Sequence, residues 1–139
     1  MGKRKRIYSE RIKRNNKKIV TSILKKVRIS PKKIRAAVYL IKGKNIFYVL
    51  NLLDNFLSYK LSIIFKKIIN SAINNYINKY GKIYNKNLYI KNIIVNSNGY
   101  YKRVRYAPMG RSNEIKKRLS YIKLIIKIKK NGSKSKSNS

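Results

Sequence analysis

The chain has 139 residues, of which 37 are Lys or Arg and 3 are acidic, so its formal net charge is +34 and nearly every exposed cation lacks an acidic partner. Such a chain repels itself in water, and nucleic acid is the first partner to consider because each phosphate neutralised by Lys or Arg releases condensed counterions. Cys and His are absent and the acids Glu10, Asp54 and Glu114 are scattered, which excludes disulfides and thiolate metal sites and disfavours acid–base catalysis.

Apolar residues are frequent enough to form a core. Hydrophobic residues make up 43% of the chain and recur at regular intervals, whereas a disordered basic tail would lack them. The length suits one domain of about 100 residues with short tails. No apolar run approaches the roughly 20 residues of a membrane span. We therefore expect a folded, non-enzymatic protein with no cofactor, no metal and no membrane partner.

The two ends of the chain differ from its middle. Residues 1–16 form a basic N-terminal arm that lacks the apolar segment of a secretory signal but could serve as an organelle transit peptide. Residues 130–139 are polar and predicted to be disordered. Ile, Lys, Asn and Tyr dominate the composition. Their A/T-rich codons are typical of a reduced organelle genome or of a bacterium with similar base composition.

Folded structure is predicted to begin with an irregular strand over residues 19–29, followed by a helix. Ser30 is a good N-cap and Pro31 fits the first helical position, where its missing N–H costs nothing. Gly43 can end this helix in the left-handed conformation. One face of the helix is apolar, formed by Ile34, Ala37, Val38 and Ile41.

Two further helices are predicted. One begins near Asn45 and carries an apolar stripe, and the other spans about residues 61–80 and ends at Gly81. Three amphipathic helices this close in sequence need one another to cover their apolar sides, so we interpret the stripes as core. The stripe of the shorter helix consists of Ile46, Val49, Leu50, Leu53 and Leu57.

The last part of the domain has the pattern of strands. Residues 88–95 are rich in β-formers and residues 122–128 alternate apolar side chains with Lys, so the two runs can pair antiparallel and give an α+β fold. The cationic connection of about residues 96–118 is unusually long for a loop. If its flanks continue as paired strands, an arm of roughly 15 residues would project about 50 Å. Such an arm has no core of its own and would need a partner to order it.

This connection carries the residues that point to RNA. Aromatic faces and guanidinium groups alternate in residues 100–106, and cations continue along the return strand. The planar fork of arginine binds phosphate, and Tyr and Arg planes can stack on unpaired bases. The pattern therefore favours folded RNA as the partner.

Four segments then resemble the family of universal large ribosomal subunit protein 22. They occur in the family's order and cover about residues 27–129. The resemblance implies that residues 17–129 form a ribosomal protein domain, with a small three-helix body packed on a β-sheet and a long protruding hairpin at about 96–118. The segments are residues 30–35, residues 40–44, residues 71–75 and residues 102–122.

The resemblance also implies a function. In that family the protein is a structural constituent of the large subunit that binds rRNA, supports assembly and lines the nascent-peptide exit tunnel with its hairpin, beside neighbouring large-subunit proteins. The hairpin tip, near the nascent peptide, would be Tyr106, Ala107, Pro108, Met109 and Gly110, where the family more often has Pro-Arg-Ala. The implied RNA-binding residues are Lys32, Lys33, Arg35, Lys42, Lys44, Lys102, Arg103, Arg105, Arg111, Lys116, Lys117 and Arg118.

Two other classes of protein could carry such charge. A free-standing DNA-compacting or architectural protein could insert a β-arm into a groove, but it does not explain the family-like segments. A cationic membrane-surface protein would have Lys and Arg flanking its apolar stripe, whereas Asn and Ser flank the stripe of residues 61–80. We expect the chain to reside in the ribosome of a plastid or plastid-derived organelle, with a mitochondrion or the bacterial cytoplasm as alternatives.

Overall fold

A computed structural model describes residues 4–10, 19–55, 58–81 and 87–128. Helix α1 covers residues 4–10 and is exposed throughout, so part of the predicted basic arm is helical, which its weak pattern did not predict. The predicted apolar residue Leu57 and the predicted tail at 130–139 lie outside the described residues. The other elements are β1 Ile19–Val27, α2 Pro31–Ile41, α3 Ile46–Asn55, α4 Tyr59–Tyr80, β2 Leu88–Tyr106 and β3 Ser112–Ile128.

The three strands form one antiparallel sheet in the order β1-β3-β2. The central strand β3 brings both ends of the domain together, because Ile126 lies opposite Val20 of β1 and Ile90 of β2. All three of these side chains are buried. The predicted antiparallel pairing of residues 88–95 with residues 122–128, and with it the α+β fold, is confirmed.

The core lies between the sheet and helices α2, α3 and α4. Alternate residues of each strand face it, as the period of two along a strand requires. Phe65 of α4 is 1% exposed and is among the largest buried side chains. Its helical neighbours in the core are Ile68, Ile69, Ala72 and Tyr76, which recur at steps of three and four residues as predicted.

Turn geometry and polar contacts define the helix ends. Gly43 and Gly81 have φ of +80° and +59°, so both occupy the left-handed conformation, which was predicted for Gly43, and α4 ends before Gly81 as predicted. The Asn45 carboxamide oxygen accepts a hydrogen bond of 2.9 Å from the Phe47 N–H and caps α3. The Ser62 hydroxyl donates one of 2.6 Å to the Leu53 carbonyl, which ties α4 to the end of α3.

The start of α2 differs in one respect from the prediction. Pro31 stands in the first turn as expected, and the Ser30 carbonyl accepts hydrogen bonds from the Lys33 and Ile34 N–H groups. However, the Ser30 side chain makes no capping hydrogen bond. Ser30 instead lines a surface cleft described below.

The long connection predicted at residues 96–118 is almost entirely strand. Strands β2 and β3 stay paired as far as Tyr106 opposite Ser112, with a register shift between Ser97 and Tyr100. A tight turn closes the hairpin, where the Ala107 N–H donates a hydrogen bond of 2.9 Å to the Arg111 carbonyl. The eleven residues from 96 to 106 span about 36 Å at roughly 3.3 Å each, so the arm is shorter than the 50 Å expected.

Candidate nucleic-acid interface

Seven of the predicted cations lie on the hairpin formed by residues 96–118. All seven are exposed, and no residue between 99 and 114 is buried. A strand pair this narrow has no interior, so its side chains can gain packing only from something outside the chain. The seven cations are Lys102, Arg103 and Arg105 on β2, Arg111 in the turn, and Lys116, Lys117 and Arg118 on β3.

Register places like charges opposite one another on this hairpin. Lys102 lies directly across from Lys116, and such pairs repel. Two contacts reduce the repulsion: the Lys102 ammonium lies 3.7 Å from a Glu114 carboxylate oxygen, and the Lys116 ammonium lies 5.1 Å from the centre of the Tyr100 ring. Because Glu114 is the one acid between residues 96 and 118, the other cations of the hairpin have no carboxylate on it.

Where the hairpin leaves the body, the surface forms a cleft of about 500 Å³, here called the root cleft. Two hairpin residues of β2, Tyr101 and Arg103, line it together with Lys117 and Arg118 of β3. Arg28, from the connection between β1 and α2, closes the remaining side. Sequence reasoning missed Arg28, since nothing in its local sequence distinguishes it from other basic residues.

Contacts on both sides of Arg28 fix its backbone against the hairpin. Val27 before it is buried and paired with Ser120 of β3. Ile29 after it accepts a hydrogen bond from the Ser120 hydroxyl, which is itself fully buried. A single residue of β3 therefore holds the chain before and after Arg28, and this places the guanidinium group at the root cleft.

A second cleft of about 370 Å³ lies beside the first, between the start of α2 and the hairpin. Lys32 and Arg35 of α2 line it with Ser97, and Arg118 lines both clefts. Arg35 also has a structural role, because its Nε and Nη2 donate hydrogen bonds of 3.3 and 3.1 Å to the Val95 carbonyl. The predicted residue Lys33 is exposed and lines neither cleft.

The remaining predicted cations of the body lie at the other end of α2. That helix has 11 residues and is about 16 Å long, so Lys42 and Lys44 are separated from Lys32 by its length. The Lys44 ammonium lies 5.0 Å from the centre of the Tyr48 ring, and the Lys44 carbonyl accepts a hydrogen bond from the Ile90 N–H. The predicted cations of the body thus form two groups, one at each end of α2. The structure brings Lys32 and Arg35 to the base of the hairpin, and Lys42 and Lys44 lie at the far end of the helix.

The predicted tip is the turn that closes the hairpin. Tyr106 is 91% exposed and Met109 is 94% exposed, so neither side chain packs against the body. Met109 and Gly110 have φ of +60° and +69°, which turns the chain sharply between the strands. The tip therefore presents an aromatic and an apolar side chain at the end of a cationic arm.

Neither a membrane-spanning helix nor a metal-binding cluster is present in the described ranges. None of the helices there is both long and apolar enough to span a membrane. No group of three or more His, Cys, Asp or Glu side chains gathers there in a way that could hold a metal ion.

Comparison with known proteins places this architecture in a family. The family model described as ribosomal protein L22p/L17e matches residues 22–127. The chain is 34% identical over 129 residues to large ribosomal subunit protein uL22 of Flavobacterium johnsoniae, covering 91% of this chain and 93% of the relative. It is 36% identical over 111 residues to the protein of that name from Halothermothrix orenii, covering 80% and 96%.

A relative of the same name from Karelsulcia muelleri is 35% identical over 102 residues, which cover 73% of this chain and 75% of the relative. The matched region of the family model begins within β1 and ends one residue before the end of β3, and it includes helices α2, α3 and α4, both clefts and the whole hairpin. The chain therefore belongs to the ribosomal protein L22p/L17e family.

Proposed function

We propose that this chain is a structural constituent of the large ribosomal subunit that binds rRNA through its hairpin and the adjoining clefts. Family membership supports a structural role in the ribosome. The observation that carries the RNA-binding part is the hairpin itself, since it has exposed cations on both strands and no core of its own. An rRNA environment supplies both the phosphates and the packing that such an arm lacks.

The same proposal gives the hairpin tip a place at the nascent-peptide exit tunnel. A two-stranded arm about 36 Å long can carry its turn well away from the body. The exposed side chains of Tyr106 and Met109 would then form part of the tunnel wall beside neighbouring large-subunit proteins and close to the nascent peptide. Through its contacts along the arm, the protein would hold separate parts of the rRNA together during assembly.

We further propose that the parent ribosome is that of a plastid or plastid-derived organelle. The dominance of Ile, Lys, Asn and Tyr supports a genome rich in A and T. A reduced bacterial genome would produce the same composition, and the relatives named above are bacterial. Fractionation of the source cells, followed by immunodetection of the chain, distinguishes the two: enrichment with plastids supports the proposal, and its recovery with bacterial or mitochondrial ribosomes contradicts it.

The RNA-binding proposal is tested by sedimentation of a cell lysate through a sucrose gradient. We expect the chain to migrate with large subunits, to be released by ribonuclease and to be unaffected by deoxyribonuclease. A DNA-compacting protein would instead sediment with chromosomal DNA and stay there after ribonuclease treatment. That result would contradict the proposed function.

A further inference from the structure

We propose that the root cleft binds one unpaired nucleotide, with Tyr101 stacking on its base and the surrounding cations binding its phosphates. This inference rests on the proposed RNA binding and adds a defined site and a class of ligand to it. The cleft has a volume of about 500 Å³, within the roughly 300–1,000 Å³ of sites that enclose small ligands. It is therefore large enough to receive a nucleotide as a unit.

The charge of the root cleft requires an anion. Arg28, Arg103, Lys117 and Arg118 meet there, and no carboxylate among the described residues lies within ion-pairing distance of any of them. Four cations gathered in one concave surface repel one another, and the concave shape focuses their field on whatever enters. Phosphate groups neutralise this charge, and the three arginines can bind them with two parallel hydrogen bonds each.

The aromatic group of the root cleft selects a base rather than a phosphate alone. Tyr101 is 47% exposed and lies opposite Lys117 in the hairpin. Its neighbour Tyr100 has its ring occupied by the Lys116 ammonium, whereas no ring or ammonium group in the described part of the chain lies against Tyr101. A half-exposed ring among phosphate-binding groups is suited to stacking on a base.

The base that Tyr101 receives must be unpaired. In a paired RNA helix the faces of the bases are covered by their neighbours, so an aromatic side chain reaches them only at loops, bulges or ends. The buried side chain of Leu119 contributes an apolar part to the lining. Apolar lining is compatible with a base and contributes nothing to a phosphate, so both features favour a bulged nucleotide over a continuous duplex.

Two RNA hairpins that differ by a single bulged uridine provide the test. The full-length chain is titrated with each RNA at a salt concentration that weakens non-specific binding. We expect the bulged RNA to bind more tightly, and we expect Tyr101→Leu to weaken its binding by about five- to 150-fold, the range found when base stacking is removed. Tyr101→Phe keeps the ring and should retain the preference.

Two control variants separate the root cleft from general effects. Tyr59→Leu makes the same change at a tyrosine that is 79% exposed at the start of α4, and it should leave the preference unchanged. Arg28→Gln should weaken binding of the bulged RNA more than Lys67→Gln, which removes the same charge from an exposed position on α4. Circular dichroism spectra of the variants check that each has folded.

The outcomes distinguish this inference from the proposed function. If the wild-type chain binds both RNAs equally, or Tyr101→Leu keeps the preference, the nucleotide site is overturned while salt-dependent RNA binding stands. If neither RNA binds even at low salt, both proposals fail. A preference for the bulged RNA that depends on Tyr101 and Arg28 supports the site.

Discussion

Removing residues 98–114, the part of the hairpin farthest from the body, should leave the body of the protein folded. Deletion of residues 98–114 joins Ser97 to Ile115, and residues 115–119 then form a five-residue connection to Ser120, which is the partner of Ser97 in the wild-type sheet. Hairpin loops of two to five residues are common, so the shortened connection can close. The deletion also removes four cations and one carboxylate, which lowers the net charge by three and reduces self-repulsion.

The expected magnitude follows from burial. No deleted residue is buried, so the loss of hydrophobic stabilisation should be close to zero and the free energy of unfolding should change by less than about 1 kcal/mol. By contrast, Phe65→Ala truncates a side chain that is 1% exposed and should cost about 3–5 kcal/mol. At about 4 °C per kcal/mol for a chain of this size, the Phe65 variant should lose about 12–20 °C in Tm.

Thermal unfolding followed by circular dichroism at a helix-sensitive wavelength compares the two variants with the wild-type chain. The deletion variant should melt cooperatively with a Tm within a few degrees of wild type. The Phe65 variant should melt at a much lower temperature than wild type. A deletion variant that has lost its cooperative transition would refute the conclusion that the arm is independent of the core.

Three other changes test the interface and the turns. The affinity for rRNA should fall steeply between about 50 and 200 mM salt. If six cations reach phosphate, the plot of log affinity against log salt concentration should have a slope of about −4 to −5, and a flat plot would contradict phosphate binding. Arg35→Lys keeps the charge but loses the two hydrogen bonds to the Val95 carbonyl. In denaturant titrations its free energy of unfolding should therefore fall by about 1 kcal/mol. The control variant Lys33→Gln should leave the free energy of unfolding unchanged. Gly43→Ala adds a Cβ that meets nothing within 4 Å, at a residue whose φ is +80°. The free energy of unfolding should fall by about 1 kcal/mol because an L side chain disfavours this backbone conformation. An unchanged Tm would show that the turn relaxes without cost.

Local sequence patterns were sufficient to predict most of the body. Helices α2 and α4 have apolar residues at steps of three and four, and each is followed by a glycine that adopts the left-handed conformation. Near their body ends, β2 is rich in β-forming residues and β3 alternates apolar residues with Lys. Helix α1 was missed because its exposed residues form no apolar stripe. The exposed hairpin gave no burial pattern either, and its pairing was expected only as an extension of strands on both sides.

The candidate site was predicted in part. Hairpin cations could be identified from their density in the sequence, together with the tyrosines among them. Arg28 could not, because it reaches Tyr101 and Arg118 only after β1 pairs with β3 and after Ser120 binds the Ile29 carbonyl. The bond between Arg35 and the Val95 carbonyl likewise joins residues 60 positions apart. Such contacts depend on the packed fold rather than on a local pattern.

A density map of the large ribosomal subunit from the source organism would show whether rRNA encloses the hairpin of this chain. We expect density for this chain with residues 96–118 enclosed by rRNA, phosphates against the hairpin cations and the turn at residues 107–111 facing the tunnel. A complete subunit whose density for this chain shows the hairpin exposed to solvent and free of RNA contacts would contradict this expectation.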